Sequence, residues 1–208
     1  MDPVADAVAA VGRGELIVFP TDTVYGIGAT PHDPAATARL FDAKRRPRDL
    51  TLPVLAPTID VAGSLGRFDD RAERLATALW PGPLTLVVPR TRLSSTWDLG
   101  GDVRTIGLRV PSHLLALAVL SGAGPVATTS ANRSGAPPAR TCDELHAAFG
   151  DLVAVYLCQE APLAGAASTV IDLTDRNTRI LRAGDVAADH IAQLLGGRAP
   201  LLDSPPPV

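Results

Sequence analysis

Short strand-like stretches alternate with helix-like stretches along almost the whole chain, and this alternation restricts the fold more than any other feature. It is typical of layered α/β architectures, in which helices cover the faces of a sheet. With 208 residues, 46% of them hydrophobic and 20% charged, the chain can bury one sizeable core. The pattern therefore predicts a single-domain α/β protein without an internal repeat or a domain linker.

Helix-capping residues mark where several predicted helices begin. Asp33, Asp69 and Ser112 are predicted N-caps, and Thr141 with Glu144 has the spacing of a capping box. The predicted helices cover 4–11, 33–41, 69–80, 113–120, 141–150 and 187–195, and the predicted strands cover 16–19, 52–55, 84–88, 105–110, 126–129, 153–157, 169–173 and 179–181. We expect residues 1–200 to form the domain and the proline-rich residues 201–208 to form a frayed tail.

The charge and cysteine content limit the kind of site that the chain can carry. A net charge of -3 argues against a surface coated in basic patches, so an anion site must be local. Cys142 and Cys158 form no CxxC pair, and we expect both to be buried thiols. No apolar run is long enough to cross a bilayer and no targeting segment opens the chain, which predicts a cytoplasmic protein without membrane contact.

Motifs of several well-known enzyme classes are absent from the sequence. The chain has no GxxxxGKS/T phosphate loop, no GxGxxG turn, no HExxH pair and no GxSxG elbow. Its four histidines are scattered, and we predict no protein-held metal site. The standard nucleotide-binding folds and the acyl hydrolases are therefore not indicated.

A compact basic segment points to anion chemistry. Four of the five residues from Lys44 to Arg48 are basic, and Pro47 stiffens the backbone beside Arg46. A rigid guanidinium can donate charged hydrogen bonds to phosphate that contribute about 1.5–3 kcal/mol each. The ordinary explanations are a solvated charged surface, or cations that favour the C-terminus of a helix ending near Ala43.

Three further polar segments lie at or beside predicted strand ends, where ligands bind in open α/β sheets. They are PTDTVYGIG at 20–28, RTIGLRVP at 104–111 and TTSANRSG at 128–135. Thr105, Gly107 and Arg109 should share one face of a strand, and the glycine leaves room for a ligand against the backbone. Each segment also has an ordinary explanation, as a hydroxyl-rich turn or an edge strand.

Taken in order, seven short segments resemble the YrdC-like family of threonylcarbamoyl-adenylate synthases (TsaC type). They are FPTDTVYGIG at 19–28, KRRP at 44–47, WPGPLTLVV at 80–88, TIGLRVP at 105–111, TTSANRSG at 128–135, STVIDL at 168–173 and ILRAG at 180–184. The resemblance implies a YrdC-like twisted mixed β-sheet flanked by helices, with a concave basic ligand cleft. It also implies conversion of L-threonine, bicarbonate and ATP to threonylcarbamoyl-AMP and pyrophosphate, for the t6A37 modification of tRNA.

The same resemblance assigns roles to individual residues. The family's Lys-x-Arg and Ser-x-Asn signature falls on the predicted catalytic residues Lys44, Arg46, Ser130 and Asn132. By the same matching, the predicted ATP contacts are Arg46, Thr105, Ser130, Asn132 and Arg182, and the predicted contacts of threonine or its carbamate are Thr23 or Thr21, Arg109, Thr128 and Ser168.

The implied reaction is the attack of a carbamate oxygen on the α-phosphate of ATP. Because this brings anions together, catalysis should rest on positioning and charge neutralisation without a covalent nucleophile. Lys44 and Arg46 would neutralise phosphate charge, with Mg2+ bridging phosphate oxygens, and Arg109 would grip a carboxylate. The product would pass to the t6A transfer machinery. Longer members carry an extra C-terminal domain, for which we expect no counterpart in this protein, and Leu50 and Leu55 stand where those members carry Asn and His.

Two alternatives stay open from the sequence. One is a non-catalytic RNA-binding or ribosome-associated protein, although the acidic balance and the 4% aromatic content count against it. The other is a paralogue that keeps the nucleotide pocket and acts on another carbamoylated substrate. The sequence decides neither weak RNA binding nor the oligomeric state.

Overall fold

Strands from the whole chain join in one mixed sheet in the computed structural model, which describes residues 2–161, 163, 167–197 and 200–202. The strands are β1 Ile17–Phe19, β2 Gly26–Ala29, β3 Val54–Leu55, β4 Leu84–Pro89, β5 Thr105–Arg109, β6 Val126–Ser130, β7 Val155–Tyr156, β8 Thr169–Asp172, β9 Arg179–Arg182 and β10 Leu201–Leu202. The helices are α1 Pro3–Gly12, α2 Pro34–Lys44, α3 Ile59–Leu65, α4 Asp70–Leu79, α5 Leu114–Ala123, α6 Cys142–Phe149 and α7 Ala188–Leu194, with a 3₁₀ turn at Gly150–Leu152.

The strand order is β10-β9-β8-β4-β5-β3-β6-β2-β1-β7. The pairs β10/β9, β8/β4, β5/β3 and β1/β7 are parallel, and the other neighbours are antiparallel. The predicted single-domain α/β class with a mixed sheet flanked by helices is therefore confirmed. Along β4 and β5, Leu84, Leu86, Ile106 and Leu108 are fully buried in the core. Because alternate residues of a strand face opposite ways, the other face of these strands is available for polar side chains.

Helix α2 delivers the basic segment to that polar face. Asp33 caps the helix by accepting from the Ala35 N–H at 2.8 Å, as predicted. The helix runs on to Lys44, and Arg45 then takes a left-handed conformation with φ 52°. This conformation reverses the chain direction after the last turn. Lys44 is therefore the last residue of the helix, and its side chain is buried. Arg46 follows the turn and lies outside the helix.

Two local predictions near the site are wrong. No strand is predicted within the segment 20–28, but Gly26–Ala29 forms β2 between β1 and β6. A Cβ at Gly28 would lie 2.7 Å from Val126 Cγ1, so β2 can approach β6 this closely only with a glycine there. Ser112 is not the cap of the next helix, because His113 Nδ1 accepts from the Leu115 N–H at 3.2 Å.

No helix is predicted where the structure has α3, and one detail of the N-terminal cap of α6 also differs from the prediction. The segment that forms α3 contains Gly63 and β-branched residues, which give weak helix propensity. At α6, Thr141 Oγ1 accepts from the Glu144 N–H at 3.3 Å, as a capping box requires. The return bond to the Glu144 carboxylate comes from the Arg140 N–H instead of the Thr141 N–H.

The prediction of two buried thiols is wrong, because Cys142 and Cys158 are half-buried and form a disulfide. Their Cα atoms are 5.7 Å apart. The bond ties the first residue of α6 to the segment after β7.

At the C-terminal end, Leu201–Leu202 pairs with β9, and the rest of the predicted tail, 203–208, lies outside the described residues. Within the described ranges, no helix has the length and hydropathy needed to cross a membrane.

Candidate active site

A cavity of about 610 Å3 opens on the polar face of the central strands. This volume is typical of small-molecule sites. Its wall contains many of the residues that the sequence predicts for ligand binding, namely Thr21, Thr23, Arg46, Arg109, Thr128, Ser130, Ser168 and Arg182. The structure therefore brings together side chains from β5, β6 and β9, from the turns beside β1 and β8, and from the loop after α2.

Three arginines face this cavity and make it strongly basic. They are Arg46, Arg109 and Arg182, and Asp49 also lines the wall. Burial lowers the pKa of Arg182, and the positive charges of Arg109 and Arg46 lower it further. This mutual repulsion indicates that the three guanidinium groups share one electrostatic field. The cavity is therefore suited to a ligand with several negative charges.

Hydrogen bonds to nearby backbone and hydroxyl oxygens hold Arg46 and Arg182 in position. Arg46 donates from Nε to the Leu50 oxygen at 3.2 Å and from Nη2 to the Thr51 oxygen at 3.1 Å. Arg182 donates from Nε to the Ser168 oxygen at 3.0 Å and from Nη2 to Ser168 Oγ at 2.9 Å. Because these side chains are already ordered, binding an anion would not require them to lose much further freedom.

Arg109 lies deeper and has a carboxylate partner. Its Nε donates to the Gly82 oxygen at 3.0 Å, its Nη1 donates to Thr23 Oγ1 at 3.0 Å, and its Nη2 lies 2.7 Å from Asp22 Oδ1. Asp22 Oδ1 also accepts from the Ser112 N–H at 3.1 Å. Burial lowers the pKa of Arg109, and Asp22 opposes that effect. Two of the five guanidinium N–H donors make hydrogen bonds, and Nη2 contacts Asp22 as an ion pair without a hydrogen bond among the described residues, so three N–H groups remain.

The neighbouring threonine hydroxyls form a chain with a defined direction. Thr21 Oγ1 donates to the Val24 oxygen at 2.6 Å, and the Thr21 and Thr23 hydroxyl oxygens lie 3.0 Å apart. Thr21 gives its proton to Val24, so a hydrogen bond between the two hydroxyls would run from Thr23 to Thr21, whose oxygen also accepts from the Thr23 and Val24 N–H groups at 3.2 Å each. Thr23 also accepts from Arg109. The Thr23 oxygen therefore has one lone pair left, with which it can accept from a ligand N–H.

Lys44 and Asn132 lie behind the cavity wall, where they hold the loop after β6. Lys44 Nζ donates to the Ser130 and Asn132 backbone oxygens, each at 2.5 Å, and to Asn132 Oδ1 at 3.2 Å. Ser130 Oγ donates to Asn132 Oδ1 at 2.6 Å, and Asn132 Nδ2 donates to the Arg133 and Ala136 oxygens. All three ammonium protons have acceptors. The phosphate role of Lys44 stays a prediction, and the structure adds a loop-holding role.

The pKa of Lys44 leads to a prediction about pH. Burial, together with the nearby charge of Arg46, lowers this pKa from 10.5 to about 8. Between these two values the unfolded chain holds the proton and the folded chain has released it, so unfolding takes up a proton. The free energy of unfolding should therefore increase as the pH rises from about 8 to 10.5, by up to about 3 kcal/mol. Below about pH 8 Lys44 is charged in the folded and the unfolded chain, so the full cost of burying the charge lowers the free energy of unfolding.

Urea unfolding of the wild type and of Lys44→Met across this pH range measures the effect. The difference between the two proteins isolates Lys44 from the other titrating groups. With increasing pH, the free energy of unfolding of the wild type should increase relative to that of Lys44→Met. A difference that does not change with pH would show that the ammonium keeps its ordinary pKa in the folded protein.

The sequence did not predict Thr85 and Asp22 as site residues, and predicted Thr105 lies outside the cavity wall, as Lys44 and Asn132 do. Thr85 lines the cavity with its hydroxyl 3.0 Å from Ser168 Oγ, and it stands out as the polar residue in the apolar segment LTLVV. Asp22 lies between two predicted threonines, and only its distance from Arg109 reveals its importance. Thr105 begins β5 outside the cavity wall, and its ATP contact stays a prediction.

An open mixed α/β sheet with arginines and ordered hydroxyls on its polar face is suited to holding a multiply charged anion beside a small polar ligand. A family model, Sua5/YciO/YrdC, with the description "Telomere recombination", matches residues 9–184. Because this match covers most of the chain, the protein belongs to the Sua5/YciO/YrdC family.

Individual relatives agree with the family assignment. A Mycobacterium leprae protein, provisionally named a threonylcarbamoyl-AMP synthase, is 46% identical over 194 residues, which cover 93% of this chain and 88% of the relative. A Pyrococcus abyssi threonylcarbamoyl-AMP synthase is 34% identical over 192 residues, covering 91% of this chain and 56% of that protein. P. abyssi Sua5, solved in complex with L-threonine, superposes with a TM-score of 0.87 at 31% identity, covering 98% of this chain and 60% of that structure.

Proposed function

We propose that this protein is a threonylcarbamoyl-AMP synthase, which converts L-threonine, bicarbonate and ATP to threonylcarbamoyl-AMP and pyrophosphate. The observation that carries the proposal is the convergence of Arg46, Arg109 and Arg182 on one cavity. Relatives that bear the synthase name, and a related structure solved with L-threonine, support the choice of substrate. The reaction is a nucleotidyl transfer, and its product would serve t6A modification of tRNA in the cytoplasm.

Arg109 and the threonine hydroxyls form the amino-acid end of the cavity in this proposal. The Arg109 N–H groups that have no hydrogen-bond acceptor among the described residues would bind the carboxylate of threonine, a geometry that a guanidinium favours. Thr23 offers an acceptor, which suits the N–H of threonine or its carbamate. Thr128 donates its own hydroxyl proton to the Val126 oxygen at 3.0 Å, so it too would act as an acceptor.

Arg46, Arg182 and Ser130 form the phosphate end of the cavity. A carbamate oxygen would attack the α-phosphorus, the bond from that phosphorus to the bridging oxygen would break, and pyrophosphate would leave with the electron pair. The two arginines would neutralise the charge that accumulates on the phosphate oxygens. Their fixed positions make them effective, because little reorganisation is needed during the reaction.

Mg2+ is proposed to arrive with ATP, because the protein residues do not fit a Mg2+ site of their own. In the part of the chain that the structure describes, no group of three or more His, Cys, Asp or Glu side chains could hold a metal ion. Asp49 lines the cavity, and the Asp22 carboxylate is paired with Arg109. Phosphate oxygens and water molecules would therefore supply most of the ligands. The roles of Arg46 and Arg182 do not require the ion.

Pyrophosphate release tests the proposal directly. Incubation with ATP, bicarbonate and L-threonine should release pyrophosphate at least about tenfold faster than incubation without threonine, because the carbamate is the nucleophile. Mass spectrometry should detect threonylcarbamoyl-AMP. Release that does not depend on threonine would reject the synthase. Release that depends on another amine would instead favour a paralogue with another carbamoylated substrate.

A further inference from the structure

The disulfide lies at one end of a loop that forms part of the cavity wall. This loop, residues 133–141, leads from β6 to α6, and Pro138 within it lines the cavity, so we call it the wall loop. Before the loop, the Asn132 side chain donates from Nδ2 to the Ala136 oxygen, and directly after it Cys142 carries the disulfide. The wall loop is therefore held by a hydrogen bond on one side and by a covalent bond on the other.

Side-chain packing gives the wall loop little support of its own. Residues 134–138 are all exposed, and the buried ring of Phe149 anchors α6 at the end far from Cys142. Near the disulfide, Arg140 and Leu163 exchange two hydrogen bonds of 3.1 and 3.3 Å at the surface. A segment with few buried contacts opens locally at a small cost in free energy. The disulfide should therefore be a strong restraint on the wall loop.

The other half of the disulfide belongs to a segment that contacts the cavity wall from a different direction. Gln159, which follows Cys158, donates its backbone N–H to Tyr25 Oη at 3.1 Å. Tyr25 is fully buried, and both of its neighbours in the chain line the cavity. Its backbone oxygen accepts from the Ala131 N–H at 2.7 Å. The disulfide therefore connects two segments that are each attached to the wall.

Movement of the wall loop would reach the cavity through the Asn132 amide. The Nδ2 side of this amide donates to the Arg133 and Ala136 oxygens, and its Oδ1 side accepts from Ser130 Oγ at 2.6 Å. Because donor and acceptor belong to one planar group, loss of the bond to Ala136 would also loosen the contact with Ser130. Ser130 lines the cavity, so its hydroxyl would no longer be held in one direction.

The disulfide is accessible, and no other thiol competes with it. Cys142 and Cys158 are both half-buried, so a small thiol in solution can reach their sulfur atoms. The sequence contains two cysteines, so any response to a dithiol must come from this bond. Disulfides are rare in the cytoplasm, where the proposed function operates, and those that form there usually take part in redox chemistry or redox sensing.

We propose that the Cys142–Cys158 disulfide is a redox-sensitive restraint on the cavity wall, and that its reduction lowers synthase activity. One thiolate of a dithiol attacks a sulfur atom of the bond and forms a mixed disulfide, which the second thiol of the reductant then displaces. The protein bond gains two electrons and two protons, and the dithiol becomes a cyclic disulfide. The effect on activity rests on the proposed synthase function, whereas the effect on the wall loop does not.

Reduction by dithiothreitol at 25 °C, followed by two measurements, tests the proposal. Trypsin should cut after Arg140, in the exposed wall loop, at least about fivefold faster in the reduced protein. Threonine-dependent pyrophosphate release should be at least about fivefold slower, and reoxidation should restore it. The double variant Cys142→Ser with Cys158→Ser should behave like the reduced protein, with or without dithiothreitol.

A matched control separates this effect from a general loss of stability. Removing the cross-link should lower Tm by about 6–12 °C. Val119→Ala creates a space in the core under α5, away from the cavity wall, and should also lower Tm. With its disulfide intact, this variant should keep the cleavage rate at Arg140 and the turnover of the wild type at 25 °C.

Each contrary outcome has a distinct meaning. Equal cleavage of the oxidised and reduced proteins, or equal turnover, would overturn the proposal and leave the bond as a stabilising cross-link. Faster turnover after reduction would also overturn it, because the bond would then inhibit the enzyme. If the double serine variant does not fold, the reduced wild type gives the same comparison. Failure of the synthase function is separate, because it would appear as threonine-independent pyrophosphate release by the oxidised wild type.

Discussion

Lys44→Ala is expected to destabilise the protein by about 3 kcal/mol or more and to lower turnover by about 100-fold. The substitution removes the ammonium group through which the end of α2 binds three oxygens of the loop after β6. Lys44 is 2% exposed, so water cannot easily replace the ammonium, and buried acceptors without donors are costly. Because Ser130 accepts one of these bonds and lines the cavity, displacement of Ser130 should reduce the rate of turnover.

Urea unfolding and steady-state pyrophosphate release measure the two effects separately. Arg45→Ala is the matched control, since Arg45 is the next residue along the chain and its side chain is exposed. We expect this control to change stability by less than about 0.5 kcal/mol, as is usual for exposed positions. Wild-type stability and turnover in Lys44→Ala would show that other contacts, such as the Ser134 N–H bond to the Lys44 backbone oxygen, are enough to hold the loop.

The polar face of the sheet could be predicted from the sequence because its residues are close together in short segments. Arg109 and Gly107 share a face through the period of two in a strand, and Thr21 and Thr23 do so in an extended turn. Lys44 could not be placed in this way. Its acceptors are 86 and 88 residues away, and only the pairing of strands brings them to the end of α2. A basic segment that looks like solvated surface therefore contains one buried structural cation.

Other errors share this dependence on tertiary structure. The sequence GIGA has low β-propensity, and it becomes β2 because neighbouring strands need the close approach that glycine allows. Cys142 and Cys158 are separated by 16 residues without a recognisable motif, and they meet only because α6 packs next to the segment after β7. Asp22 looks like an ordinary turn residue until the fold places Arg109 beside it.

Arg109→Met is expected to cost about 3–5 kcal/mol of stability and to abolish detectable threonine binding, because it leaves the Asp22 carboxylate buried without its cation. Asp22 Oδ2 already has no hydrogen-bond partner in the described part of the chain, so this carboxylate depends strongly on the ion pair. Asp22→Asn should cost less, since Arg109 keeps its bonds to the Gly82 oxygen and to Thr23.

The double variant, Asp22→Asn with Arg109→Met, separates stability from binding. It should be more stable than Arg109→Met alone, because no unpaired charge remains buried. Threonine binding should nevertheless stay absent, because the guanidinium that would receive the substrate carboxylate is still missing. Urea unfolding of the four proteins gives the coupling free energy, and calorimetry with L-threonine gives the binding. Additive stability effects would mean that Asp22 and Arg109 are not energetically coupled, and recovered threonine binding would move the carboxylate site away from Arg109.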